Sequence, residues 1–376
     1  AAEVRIGYLH VGEPGDGLHR YGGLLAGEAA RRPELGVVEA RAVLDGPEAR
    51  GRLEDAARVL GQADVVHVQY NARIWGGGWA QLSNVGFFLR RCEAPVVATL
   101  HDVYWRDPWL DFRRKSGHRR LGEWLRVRAP MRLAWSGLAR RAAVCIVCNA
   151  EEAGVLSRRI RGPEPQVIEH FVEERGELPE RDAARAALGL DGRRVLCVLG
   201  FIHPAKGHDL LVDALPHLPA DTLAVFAGAA SPGNEAWLHE LEKRAPADRL
   251  RVTGSLSEPD LERYLVATDL AVAPFRFASA SGSLASWISA GRPILASDLS
   301  LVRAYDKLTP GAIDTFSPFE PEALADAVLH TLALASERGA AQAGAVARLR
   351  EQLLLPRIFE RHLALYRDAT RSETMG

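Results

Sequence analysis

Cysteine is scarce in this 376-residue chain: Cys92, Cys145, Cys148 and Cys197 are its only four. So few and so scattered, they exclude a disulfide framework and point to a reducing, cytoplasmic setting. Cys145 and Cys148 do form a C-x-x-C, but inside the apolar run Ala142 to Cys148. In an extended strand, residues three apart face opposite sides, so the pair reads as core packing and not as a metal or redox site. Long hydrophobic stretches are also missing, and nothing approaches the ~20 apolar residues of a membrane span. Ala1 to Val11 is too short and lacks the basic start of a secretory leader, so none is expected. Neither charge is in excess: 47 basic residues against 48 acidic ones leave a formal net charge of -1. That removes any general attraction to nucleic acid or to membranes and leaves only local clusters to consider. No short repeat and no low-complexity tract interrupts the chain.

What is present is the composition of an ordered globular protein, 47% hydrophobic and 25% charged,. The length exceeds the ~250 to 300 residues at which single cores stop growing, so two domains are expected. Short, valine-rich runs alternate with helical patterns in the first half: Val4 to Val11, Val37 to Val43, Val65 to Gln69, Pro95 to Leu100, Val144 to Cys148 and Gln166 to Glu169. Such runs are the mark of parallel strands buried on both faces. A second series runs Arg194 to Gly200, Leu223 to Ala227, Leu250 to Val252, Leu270 to Ala273, Pro293 to Ala296 and Ala312 to Phe316. The expected fold is α/β with two doubly wound Rossmann-like domains, at 1–173 and 193–355. A charged, proline-bearing linker is expected at 174–192, and a terminal helix at 356–376 that crosses back to the first domain.

Four loops carry residues suited to a ligand. After the first strand comes Gly12-Glu-Pro-Gly15-Asp-Gly17, either a plain turn or a loop that lets an anion approach a helix N-terminus. At the end of the fourth strand stand His101 and Asp102, either an ordinary loop pair at the sheet edge or a pair facing substrate, since open α/β sheets place their ligand crevice there. In the second half, Gly200-Phe-Ile-His203-Pro-Ala-Lys206-Gly207 follows a strand and opens a helix, reading either as a helix start with a solvated lysine or as an ammonium and an imidazole placed where a diphosphate can rest. Pro274-Phe-Arg276-Phe-Ala-Ser279-Ala-Ser281-Gly282-Ser283 combines helix caps with a nest of backbone N–H groups. A fifth feature is a basic stretch, Arg113 to Arg141, with ten Lys or Arg against the single acid Glu123. It reads either as a solvated helical face or as a peripheral contact with an anionic membrane, or with an acceptor bearing phosphate.

In this order the segments resemble the family 4 glycosyltransferases, a group of retaining enzymes with the GT-B fold. The likeness runs through Ala63-Asp-Val-Val-His67, Val97-Ala-Thr-Leu-His101-Asp102, Gly200 to Gly207, Val252-Thr-Gly254-Ser-Leu256, Asp269 to Pro274 and Ser289-Ala-Gly291-Arg-Pro293. It implies two domains facing each other across a cleft and transfer of a sugar from a nucleotide diphosphate donor, without metal or cofactor and without nucleic acid, to an acceptor the sequence does not name. It implies further that His101 lies beside the donor sugar and that Lys206 binds the diphosphate, and His101, Asp102 and Lys206 are the expected catalytic residues. Gly254 and Leu256 would border the base, Ser281, Gly282 and Ser283 the phosphates, and Gly15, Gly17, His203, Arg276 and Ser286 would complete the donor site. The paired glutamates usual in that family fall on Ala278 and Ser286, and its phosphate-loop arginine on Phe201, leaving His203 or Arg276 as stand-ins. A catalytically inactive nucleotide-sugar-binding partner and a GT-B epimerase remain the alternative readings.

Overall fold

The computed structural model describes residues 4–14, 17–103, 122 and 124–374. The chain divides into two compact units, one comprising Ala1–His170 and Leu355–Gly376, the other Phe171–Leu354.

The first unit is built on β1 (Val4–Val11), β2 (Leu35–Ala42), β3 (Val65–Tyr70), β4 (Val96–Leu100), β5 (Val144–Val147) and β6 (Gln166–Val167), all parallel, in the order β2-β1-β3-β4-β5-β6. Helices α1 (Gly17–Ala30), α2 (Ala49–Leu60), α3 (Gly78–Arg91), α4 (Ala129–Arg141) and α5 (Ala150–Arg159) connect or follow the strands, and a π-helical turn, Trp124–Arg128, leads into α4. The chain runs from β1 outward to β2, then returns across β1 to place β3 on its other side. That reversal sets a switch point between β1 and β3, where strand ends diverge and leave room for a ligand.

Because side chains alternate along a strand, each sheet face has its own chemistry. Leu9 and Val11, Val66, Val68 and Tyr70, and Ala98 and Leu100 join one apolar core with α2, α3 and α4. The opposite face carries Tyr8 and His10, His67 and Gln69, and Thr99, followed by His101, all buried.

The second unit repeats the design with β7 (Arg194–Leu199), β8 (Thr222–Ala227), β9 (Leu250–Val252), β10 (Leu270–Ala273), β11 (Ile294–Ser297) and β12 (Asp314–Phe316), in the order β12-β11-β10-β7-β8-β9. Its helices are α6 (Arg181–Leu188), α7 (His208–Ala214), α8 (Glu235–Arg244), α9 (Glu258–Ala267), α10 (Gly282–Ser289), α11 (Ser300–Leu308) and α12 (Pro321–Leu353). The carboxylate of Glu180 caps α6 by accepting from the N–H groups of Asp182 and Ala183, and Gly189 at φ +61° ends it,. Arg181 and Arg185 both reach Asp269, at 2.5 and 3.2 Å, and tie α6 to the start of β10. Here the switch point lies between β7 and β10.

The last helix of this unit continues well past Ala335, where the helical pattern of the sequence fades. No proline interrupts it before Pro356, and the isolated Gly339 and Gly344 are tolerated inside a helix whose Val346, Leu349 and Leu353 are buried,. From Leu355 a further helix, α13 (Leu355–Thr374), belongs to the first unit and packs on α1, β3 and β4.

Candidate functional site

Lys206 sits in a turn whose shape is dictated by two close backbone approaches. The strand β7 ends at Gly200, φ +104°, and a single turn of 3-10 helix, Pro204–Lys206, leads to Gly207 at φ +67°. A β-carbon at Gly207 would come within 1.8 Å of the Pro274 carbonyl oxygen, and one at Gly228 within 2.3 Å of the Gly200 oxygen. Only glycine therefore lets the ends of β7, β8 and β10 converge. At Gly200 a β-carbon would collide with Lys206 Nζ at 2.9 Å, so this glycine also clears the space for the ammonium.

The Lys206 ammonium donates to the Leu199 carbonyl oxygen at 3.0 Å and to Ser283 Oγ at 2.8 Å, and lies 4.7 Å from the centre of the Phe275 ring. No carboxylate pairs with it among the described residues. An ammonium has three donors, so one is left over for an incoming acceptor. Loss of hydration lowers its pKa to about 8, which still leaves it mostly charged at neutral pH,. Its neighbour His203 is lowered to about 4 by burial and by the Lys206 charge, so the imidazole there is neutral.

Across the switch point, Ser281 caps α10: its Oγ accepts from the Leu284 N–H at 3.2 Å and lies 3.0 Å from Ser283 Oγ. A chain of contacts thus runs from Lys206 through Ser283 to Ser281. The first N–H groups of a helix have no partners within it, and they carry the positive end of its dipole. Lys206 and this helix start therefore present positive charge to the same space, beyond the carboxyl ends of β7 and β10. Gly282 is exposed at that start. Gly254, φ +68°, and Leu256 follow β9 at the other side of β8, with Thr253 Oγ1 bridging to the Gly254 oxygen at 2.7 Å and to the Gly228 N–H at 3.1 Å.

Two of the sequence candidates are engaged elsewhere. The Arg276 guanidinium grips Asp209 in a two-pronged ion pair, at 2.9 and 2.6 Å, also bonds the Pro204 carbonyl, and stacks 5.0 Å from the Phe319 ring. It fastens the loop after β10 to the start of α7, so most of its charge is already answered by a carboxylate. Ser286 turns its hydroxyl back onto the Gly282 carbonyl at 3.0 Å, and Ala278 offers no polar atom.

In the first unit, His101 is buried just beyond β4. Its backbone N–H bonds the Tyr70 carbonyl at 2.9 Å, and its Nε2 donates to Gln69 Oε1 at 2.8 Å. The Gln69 amide nitrogen is then 3.2 Å from His67 Nε2, which also receives Thr99 Oγ1 at 2.8 Å. His67 Nδ1 meets the Tyr366 hydroxyl of α13 at 2.6 Å. One assignment turns the Gln69 carbonyl to His101 and its NH2 toward His67 and puts the His67 proton on Nδ1, so that the single lone pair of His67 Nε2 takes the Thr99 hydroxyl at 2.8 Å with the amide nitrogen farther off at 3.2 Å,. It leaves the His101 Nδ1 lone pair with no partner among the described residues. Burial, reinforced by His170, lowers the His101 pKa to about 3, and burial pushes His67 well down, so both rings are neutral. Asp102 follows at φ +61°, a left-handed backbone held by Asn71 Nδ2 at 2.6 Å from its carboxylate,.

Sequence reasoning missed Gln69, Thr99 and Tyr366 as parts of this network. The alternation of polar residues in Val65-Val-His-Val-Gln-Tyr70 and Val97-Ala-Thr-Leu-His101 is the signal that marks them,. Gly17 opens α1 at the surface, beside the switch point of this unit, whereas Gly15 lies outside the described residues, as do residues 113–121 and Glu123 of the basic stretch.

Comparison with known proteins adds to these findings. Residues 192–333 match the protein-family model described as glycosyl transferases group 1. A D-inositol 3-phosphate glycosyltransferase of Jonesia denitrificans is 27% identical over 267 residues, 65% of this chain, and the chain spans 58% of that relative's length. Among solved structures, Anabaena HepE in complex with UDP and glucose superposes with a TM-score of 0.70 at 16% identity, covering 96% of this chain and 98% of that one. The sucrose-phosphate synthase of Thermosynechococcus elongatus gives 0.72 at 17% identity, covering 98% and 100%. These likenesses show the fold: both units are Rossmann-like, and the architecture is that of GT-B glycosyltransferase structures.

Proposed function

We propose that this protein is a glycosyltransferase that takes a sugar from a nucleoside diphosphate donor held in the second unit. The observation that carries the reading is Lys206. A half-buried ammonium with no carboxylate partner among the described residues, linked through Ser283 to a serine-capped helix start, makes an anion site,. Its position at the switch point of the unit that matches glycosyl transferases group 1 makes a pyrophosphate the fitting anion,.

In the chemistry proposed here the bond between the sugar and the diphosphate breaks, and negative charge grows on the departing phosphate. Lys206 and the N–H groups of Gly282 and Ser283 stabilise that charge from fixed positions, which is where preorganised donors accelerate a reaction most. The acceptor hydroxyl attacks from the side the phosphate leaves, and the phosphate takes its proton, so the configuration of the sugar is retained. This step calls for neither a protein nucleophile nor a metal ion. In the first unit His101, neutral and with an open lone pair on Nδ1, is suited to accept a hydrogen bond from a sugar hydroxyl, while Gln69 keeps the proton on Nε2. Gly254 and Leu256 border the base. Arg276 acts through the scaffold, by holding the loop after β10 against Asp209.

A thermal-shift comparison of UDP, GDP, ADP and dTDP, each with its sugar conjugates, tests the reading. A donor present at 100 times its dissociation constant stabilises the fold by ~2.7 kcal/mol. If none of them raises the melting temperature, the donor site is wrong. If one does, incubation with candidate acceptors that yields no glycosylated product removes the transferase assignment and keeps only the binding.

A further inference from the structure

Eight large hydrophobic side chains are exposed among the described residues, and four of them, Trp79, Leu125, Val127 and Leu133, lie on three neighbouring elements of the first unit. Helix α3, which begins Gly78-Trp79, packs on α4 and on the π-helical turn before it. A β-carbon at Gly78 would stand 3.5 Å from the Arg126 carbonyl, so the start of α3 touches that turn. In α4, Pro130, Ala134, Trp135, Leu138 and Ala139 face the core. At 100° per residue this turns Leu133, Ser136 and Arg140 outward along one stripe.

The charge on these elements is of one sign. Gly78–Arg91 and Trp124–Arg141 contain seven arginines and no aspartate or glutamate. Arg126, Arg140 and Arg141 make no ion pair among the described residues. A solvated helix in a chain of net charge -1 ordinarily mixes both signs, and it has no reason to expose a tryptophan and three aliphatic side chains among arginines,. Apolar side chains that reach the acyl boundary, flanked by arginines at headgroup level, are what an anionic bilayer surface complements.

We propose that Trp79, Leu125, Val127 and Leu133, framed by Arg126 and Arg140, form a docking surface for an anionic lipid bilayer. The apolar area is small and no helix among the described residues is long and apolar enough to cross a membrane, so the proposed attachment is peripheral and reversible,. The surface lies in the first unit, separate from Lys206, and the proposal stands whether or not the donor reading does.

Flotation of the full chain with vesicles tests it. Binding is expected to vesicles containing phosphatidylglycerol, to be absent with phosphatidylcholine alone, and to weaken as salt is raised. Neutralisation of each arginine, in Arg126→Gln and Arg140→Gln, lowers the partition coefficient by about fivefold, the equivalent of ~1 kcal/mol per charge at an anionic surface. The triple change Trp79→Ser, Leu125→Ser, Leu133→Ser abolishes flotation while leaving the rise of the melting temperature with nucleotide unchanged, because these half-exposed side chains lie in the first unit, away from Lys206 in the chain. Equal flotation with phosphatidylcholine alone overturns the charge argument. Flotation of the triple variant at the level of the parent, with heparin competing fully, marks a generic polyanion surface instead of a lipid one. A dimer in solution that the triple variant dissolves makes the surface a contact between two copies, which also overturns the proposal.

Discussion

The two sheets have one topology and two chemistries. In the second unit the strand ends at the switch point present a charge: an ammonium with a spare donor and a capped helix start. In the first unit the corresponding strands lead into a neutral chain, Tyr366 to His67 to Gln69 to His101, in which nearly every polar atom already has its partner. The difference separates attraction from orientation. A site that must draw in an anion keeps an unanswered charge, whereas one that must present a single lone pair in a fixed direction buries a closed network around it.

The largest effect that sharpens this contrast is acid sensitivity. His10, His67, His101 and His362 of the first unit are all pushed below the ordinary value of 6.5 by burial, His101 to about 3 and His362 to about 4. In the unfolded chain these rings take up protons below about pH 6.5 and in the folded one they do not, so stability falls as the medium is acidified. Each histidine can remove up to ~1.4 kcal/mol per pH unit in that window. Hydrogen exchange at pH 7 and pH 5 should show β3 and β4 losing more protection than β7 and β8, although His203 and His208 give the second unit a smaller loss of the same sign. Equal losses in both units would dissolve the comparison.

Next in size, Lys206→Ala should lower the transfer rate at least ~100-fold, the scale of losing one preorganised oxyanion donor. Near-normal turnover in steady-state assays removes Lys206 from the chemistry. The pH profile gives a second handle. The affinity for nucleoside diphosphate should fall as pH rises through about 8, where Lys206 loses its proton, and Lys206→Arg should move that fall to higher pH.

A smaller effect is expected on the first unit from Tyr366→Phe, which strands the buried His67 Nδ1–H and should destabilise by ~1 to 3 kcal/mol,. Urea unfolding of this variant alone and with Thr99→Val tests whether the two act as a network, because independent contributions would simply add. Smallest is Ser281→Ala, a lost helix cap of ~1 kcal/mol, with a matching loss of nucleotide affinity,.

The strands were legible because burial on both faces leaves a plain record: every valine-rich run read from the sequence is a strand of one of the two sheets. Helix α3 left no such record. It starts after Gly77, φ +62°, with no side-chain cap, and its Trp79 and Phe87 are not confined to one buried face. In the site, the turn around Lys206 and the cap at Ser281 are local in sequence and show themselves as motifs. The ion pair of Arg276 with Asp209 spans 67 residues, and the bond of His67 to Tyr366 spans 299. Partners so distant are fixed by the packed fold and by nothing in the neighbouring residues, which is why Arg276 read as a phosphate ligand when the fold had already matched it with a carboxylate.

The placement of α13 has a consequence for how the molecule is made. Synthesis proceeds from the N-terminus, so all of 171–354 leaves the ribosome before Leu355–Thr374 does. The second unit can therefore close its core while the first still lacks the helix that brings His362, Tyr366 and Phe359 against its sheet. The lobe begun first is the lobe finished last, and until its final helix arrives the buried histidines at its heart stand open to water.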